Sequence, residues 1–340
     1  LVARVEPRVG VSFPVSIRTV FHLNYGSFMQ RPSFQYIVSQ RVQQAQTTIY
    51  NLGNPRLLPE ITNSYDIGVT QGLGQGFTLD VSGYYKDVKN LVETATFNSY
   101  TTWFNRDYAD IRGFRVALTK RSGSLTGSLN YQYGIATGKS ATTSYAPVAF
   151  RADPQTGLLV ADLEKVPVRD ILLDYDRTHN FIVTLGYVTP GEWGPELGGI
   201  RPFGDLTLTS NSFFRSGRPY TSPSNPKLIN GARTPGEYNT NVKLTKGIRN
   251  FFGVGATFYV EVFNLFDNKI LNYGYIFSTP NANTTSNNAS RYERYAIDDP
   301  VNGILYNPDT NPPLNWGVDQ SFLIYNNSPR SFNFGFTIEL

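Results

Sequence analysis

The 340-residue chain has no cysteine, one methionine, two histidines and three tryptophans. Without cysteine there is no disulfide framework, no thiolate metal site and no cysteine nucleophile. Two histidines leave little room for an imidazole-rich metal centre. Charge is also scarce: 16% of residues are charged, and 30 basic against 26 acidic residues leave +4. So slight a balance does not point to nucleic acid or an anionic membrane surface. No segment approaches the roughly 18 consecutive apolar residues of a membrane-spanning helix, which excludes a helical membrane protein. The first residue is Leu1, with no signal-peptide pattern, so a processed N-terminus or a start within a longer protein is expected.

What is plentiful is 23 Phe, 22 Tyr and 30 Gly. Aromatics suit pleated surfaces and glycine suits turns, so the composition is that of an all-β protein. The periodicity agrees. In SFNFGFTIEL, Phe332, Phe334, Phe336, Ile338 and Leu340 share one face, against Ser331, Asn333, Gly335, Thr337 and Glu339. FTLDVSGYYK, LTGSLNYQY and GATFYVEVFN alternate in the same way. Strict alternation means a strand with one apolar and one polar face. A soluble sandwich buries the apolar face; a membrane barrel turns it to lipid and keeps the polar face wet. Periodicity alone leaves both open.

Segment lengths separate them. Strands are predicted near 7–13, 18–28, 61–72, 76–88, 111–121, 124–135, 178–188, 204–216, 237–247, 254–266 and 331–340. Many reach the length that a tilted transmembrane strand requires, beyond the five or six residues usual in globular sheets. Connections alternate: short near 14–17, 73–75, 122–123 and 248–253, medium near 189–203, and long over 29–60, 89–110, 136–177, 217–236 and 267–330. Short turns on one side and long loops on the other describe an antiparallel transmembrane β-barrel. Eleven strands would leave two open edges in hydrocarbon, so the chain is expected to be one part of a larger barrel.

Several stretches resemble TonB-dependent outer-membrane receptors. NLGNPRLLPEITNSYDIGVTQGL carries Gly53, Asn54, Pro55, Leu57, Pro59 and Glu60 in the family's order, then Ser64, Tyr65, Asp66 and Gly68. Asp66 stands where Glu is more usual. FTLDVSGYYKDVKNLV and NRDYADIRGFRVALTKR follow, with Arg115 at a position where Glu is common. SGRPYTSP and VEVFNLFDNK complete the set, the last through Asn264, Leu265, Phe266 and Asp267. The opening segment 7–34 is similar to the Oar-like branch, which often carries a carboxypeptidase-regulatory-like domain. The resemblance implies the C-terminal half of a 22-stranded barrel, residues 1–340 being barrel only, with the plug domain and the N-terminal barrel strands outside it. Family members usually end in an aromatic residue read during barrel insertion, whereas this chain ends in Leu340.

Other features read plainly. GLGQG (72–76) spaces glycines like a phosphate loop, but a strand follows where a helix is needed, so it reads as a tight turn. His22 and His179 have no Ser or Asp partner motif, and no catalytic constellation is present. Asp298, Asp299 and Asp309 offer hard oxygen ligands for Ca²⁺ at a spacing unlike an EF-hand, and solvated loop carboxylates are their ordinary reading. The tract 281–290 reads as a loop tip. Tyr25, Phe28, Tyr131, Tyr133, Tyr187, Phe213, Phe214, Phe263 and Phe266 lie near strand ends, where an interfacial aromatic girdle would sit. Asp80, Thr126, Ser128, Asn130, Gln132, Thr257 and Glu261 are expected to line the wet interior.

The resemblance implies a non-enzymatic role in the outer membrane of a Gram-negative bacterium: TonB-dependent uptake of a bulky or scarce nutrient such as a siderophore, glycan or peptide. Its implied partners are the TonB complex through the plug, outer-membrane lipid, the barrel-assembly machinery through the C-terminal strand, and the extracellular nutrient. No cofactor and no nucleic acid are expected. A passive porin and a secreted soluble β-rich binding or adhesion protein are the alternatives.

Overall fold

A computed structural model describes residues 5–44, 47–96, 100–139, 150–152, 159–161, 170–197, 201–220, 228–251, 254–270 and 327–339. Asp298, Asp299, Asp309, the tract 281–290 and Leu340 lie outside the described residues. Eleven strands form the main path of one 14-stranded sheet. They are β1 (Arg8–Ser16), β2 (Thr19–Gln30), β3 (Glu60–Gly74), β4 (Phe77–Thr96), β5 (Tyr100–Lys120) and β6 (Leu125–Gly138), then β7 (His179–Val188), β8 (Leu206–Arg215), β9 (Glu237–Phe251), β10 (Val254–Phe263) and β11 (Ser331–Glu339). Each pairs antiparallel with its predecessor, so the path follows chain order. All eleven predicted strands are present. Among the described residues β1 and β11 each have a neighbour on one side only.

Two segments differ from the sequence reading. Residues 89–110 were expected as a loop, but β4 and β5 run on as a paired hairpin to Thr96 and Thr101. Its ladder is kinked beside Asn90, a bulge with φ 59°, and such bulges re-aim a strand without ending it. The stretch 29–60 holds a four-residue helix, Phe34–Ile37, and a hairpin, Gln40–Gln44 with Thr47–Asn51. The second arm of that hairpin adds in parallel to β5 at Tyr100 and Thr101. The GLGQG segment is a turn, with positive φ at Gly74, Gln75 and Gly76, the left-handed region that glycine enters without cost.

The register carries one apolar face through the whole sheet. One row across it reads Leu23, Ile67, Gly83, Phe114, Tyr133 and His179. Another reads Leu208, Leu244, Val260 and Phe334. These side chains are exposed or half-buried, Phe334 at 72%, and Phe336 two residues on is 66% exposed. Among the described residues nothing covers them, although burying one Phe or Leu is worth about 1.5–3 kcal/mol. The buried apolar cluster Val88, Ala109, Ala136 and Leu173 is small and lies on the other face, where the segment after β6 folds back.

Five girdle candidates, Tyr25, Tyr131, Tyr133, Tyr187 and Phe214, do stand on the apolar face. Phe28, Phe213 and Phe263 stand on the polar face, because each falls one residue out of step with the apolar period. Phe266 lies past the end of β10. The polar face has its own close packing. Tyr84 reaches across β5 to donate toward the Tyr133 carbonyl on β6 at 3.4 Å, over the paired glycines Gly113 and Gly134. A Cβ at Gly113 would overlap the Tyr133 carbonyl and reach Tyr84 Oη at 2.8 Å. Gly113→Val is therefore expected to destabilise the protein by about 1–3 kcal/mol through overpacking. The check is a lowered temperature of conversion from the compact to the fully unfolded band in gel electrophoresis.

Candidate functional site

Among the described residues the polar face is the one that concentrates hydrogen-bonding side chains, because alternation sends every second side chain to it. One row across it reads His22, Gly68, Ser82, Arg115, Gln132, Asn180, Arg215 and Glu237. Asp80, Thr126, Ser128, Asn130, Gln132, Thr257 and Glu261 all share this face. At its centre the Arg115 guanidinium pairs with the Asp66 carboxylate, and His22 Nε2 lies 3.7 Å from the other Asp66 oxygen. Arg115 also stacks over the Tyr84 ring at 5.4 Å, and Gln132 Nε2 donates to Tyr84 Oη at 2.9 Å. Thr70 Oγ1 donates to Asp80 at 2.6 Å. The hollow of about 310 Å³ over this group is lined by His22, Asp66, Asp80, Arg115, Asn130 and Asn180, among others. Such a surface can hydrogen-bond a polar solute or a polar protein segment. It has no nucleophile–base pair. His22 and His179 lie on opposite faces of the sheet, which rules out their acting together.

At the loop end two segments hold each other by reciprocal arginines. Asp176, its side chain 1% exposed, accepts from the Ala136 N–H at 2.8 Å, Thr178 Oγ1 at 2.9 Å and Arg233 Nη2 at 2.6 Å. Arg177 in turn reaches the Ser216 carbonyl and Glu237, both at 2.8 Å. Asn230 Nδ2 donates to the Leu172 carbonyl at 2.6 Å. Nearby, burial pushes the Asp174 carboxyl above the usual carboxylate range, with Arg218 pulling it back. None of these residues stood out in the sequence, where the partners are up to 60 positions apart.

The motif residues serve as staples. Asn54 Nδ2 donates to the Trp103 carbonyl at 2.8 Å, and its Oδ1 accepts from the Arg56 N–H at 3.0 Å. A Cβ on Gly53 would overlap the Ile37 carbonyl. Pro55 and Leu57 lie in the turn that Asn54 organises, the Leu57 N–H donating to the Asn54 carbonyl at 3.3 Å. Asn105 takes the Leu58 N–H at 2.6 Å and donates to the Leu58 and Asn90 carbonyls, while Asn90 reaches the Pro59 carbonyl. Glu60 Oε1 accepts from the Val92 N–H at 3.2 Å. Together they latch segment 31–59 to the projecting β4–β5 hairpin. Tyr65 and Gly68 stand in β3 on opposite faces. Asn264 and Asp267, both with φ 52°, make a turn beyond β10. In it Leu265 N–H donates to the Thr240 carbonyl, Asn264 Nδ2 to Asn268 and Ser328, and Asp267 accepts from the Arg330 N–H. Phe266 is exposed there. Phe332, Phe334, Phe336 and Ile338 occupy the apolar face of β11.

Two of the departures from the family pattern, Asp66 and Arg115, pair with each other. A Glu at 115 would set two carboxylates together.

A meandering sheet with an exposed apolar face and a hydrogen-bonding opposite face is the wall of a transmembrane β-barrel. The β-barrel model of TonB dependent receptor-like proteins matches residues 3–265, and the chain belongs to that family. Its fold is similar to a mutant ferric enterobactin receptor of Pseudomonas aeruginosa in complex with enterobactin, at 14% identity and TM-score 0.51, covering 78% of this chain and 35% of that one. A second mutant of that receptor gives 13% and 0.50 with the same coverage. The FrpB iron transporter of Neisseria meningitidis gives 12% and 0.46, again over 78% and 35%. The chain thus spans about a third of the solved structures it matches. No curated protein matches it in sequence.

Asp176→Ala would strand the Arg233 guanidinium, a loss expected at about 3–5 kcal/mol. It should appear as new protease cleavage within 170–178 and 228–236, with the strands still intact. Asn105→Ala should likewise release segment 31–59 to protease, and an unchanged cleavage pattern in either variant would contradict these staples.

Proposed function

We propose that this chain is the barrel wall and loop face of a TonB-dependent transporter in the outer membrane of a Gram-negative bacterium. The single observation that carries the reading is the predominantly apolar face that runs across eleven strands, opposed by a hydrogen-bonding face. Family membership supports the energy coupling, since the family's members are transporters rather than enzymes. Sequence outside this chain supplies the remaining strands that pair with β1 and β11, together with a plug that meets the TonB complex. The polar face and the loops select a nutrient, a siderophore, glycan or peptide. Strand β11, with Phe332, Phe334, Phe336 and Ile338 outward, addresses the barrel-assembly machinery, and Gly53–Glu60 and Asn264–Asp267 hold the loop face in shape.

The test is chemical asymmetry between adjacent residues. Leu208 stands exposed on the apolar face and Thr209 exposed on the polar one. Leu208→Arg is expected to destabilise the membrane-inserted protein by about 2–4 kcal/mol, as for an arginine facing lipid near the bilayer midplane. Thr209→Arg should cost far less. The native product should also migrate faster unheated than heated when extracted from outer membranes. A product soluble without detergent, or equal effects of the two arginines, would end this reading. Uptake independent of TonB would instead make the protein a passive channel.

A further inference from the structure

Gly83 is the one gap in an otherwise filled part of the apolar face. It sits within β4, a 20-residue strand, where glycine weakens a sheet by roughly 0.5–1 kcal/mol. The fold does not require it: its φ is not positive, and a Cβ there would meet nothing nearer than the Gly113 carbonyl at 4.0 Å. What the missing side chain leaves is a groove of about 640 Å³ on the apolar face, walled by Leu23, Tyr65, Ile67, Tyr85, Phe114 and Tyr133. Its rings support one another, Tyr65 on Tyr85 at 6.2 Å and Phe114 on Tyr133 at 5.4 Å. Glycine in a strand interior often marks a bulge, a bend or a close approach to the backbone, and the ladder at Gly83 runs without a register shift.

The loop-side rim of this groove is Arg112, paired across the strands with Tyr85 and Ile135. One step further toward the loops, the same face changes from apolar to charged, with Asp87 opposite Asp110. That change marks the boundary between hydrocarbon and headgroups. Lys89 engages Asp87 at 3.2 Å, and Tyr85 Oη donates to Asp110 at 3.5 Å. Among the described residues, no ion pair holds the exposed Arg112 guanidinium. Planar guanidinium forks suit phosphate oxygens.

We infer that the groove over Gly83 is a binding site for one anionic, phosphate-bearing lipid, an acyl chain lying over the glycine and the phosphate on Arg112. The inference rests on the proposed lipid contact of the apolar face and adds a defined, saturable site to it. The site occupies the lipid-facing side, separated by the sheet from the polar face that would meet the nutrient.

The experiment is native mass spectrometry of the detergent-purified gene product after exchange into micelles containing phosphatidylglycerol or phosphatidylcholine. One phosphatidylglycerol should be retained, roughly fivefold better than phosphatidylcholine. Arg112→Gln should remove that preference, and Gly83→Leu, which fills the groove, should abolish retention of both. Should Gly83→Leu not reach the heat-modifiable form, Gly83→Ala carries the same test with a smaller loss. Retention indifferent to residue 83, or no preference for the anionic lipid in the unaltered protein, would overturn the site. A heat-modifiable barrel that retains no lipid defeats this inference alone, whereas a protein soluble without detergent defeats the transporter reading beneath it.

Discussion

Hydrocarbon offers no partner to a backbone N–H or C=O, so a sheet in lipid must pair every strand within itself. Everything else in this molecule is arranged around that ladder. Because side chains alternate, a slip of one residue anywhere would carry polar groups into lipid and apolar groups into water. The two faces therefore hold the register as firmly as the hydrogen bonds do. The shifts that do occur, beside Asn90 and near the turns at Pro14, Gly72 and Ile248, lie at the ends of the apolar band. There the penalty for breaking period is small.

The polar face works under a different rule. With water or a polar solute before it, it can hold charge, provided that each charge is answered. Asp66 and Arg115 answer one another, with His22 beside them. Asp176 and Arg233, and Arg177 and Glu237, do the same where the chain folds back at the loop end. A chain that turns its apolar side chains outward has little left for an internal core, and the cluster around Leu173 is correspondingly small. Polar staples, many of them asparagines, replace it in shaping the loop face. Asn54, Asn90, Asn105, Asn264 and Asn268 each satisfy backbone groups that no ladder reaches. The family motifs thus coincide with the places where irregular backbone must be tied to strands.

Local pattern was legible, and long-range partnership was not. Alternation placed all eleven strands and their two faces, and turn chemistry placed the short connections. The hairpin beyond Val88 was misread because the bulge at Asn90 interrupts its period. Phe28, Phe213 and Phe263 were assigned by their nearness to strand ends, when the parity of their strands puts them on the polar face.

By itself the sequence determined the strands and their split into apolar and polar faces, since both follow from neighbours a few residues apart. The tertiary structure alone decided that Asp66 meets Arg115, that Asp176 meets Arg233, and that the space beside Gly83 opens under Arg112. Those meetings depend on cross-strand register and on where long loops return. Both are set by the summed pairing of the sheet, which no single segment of the chain encodes.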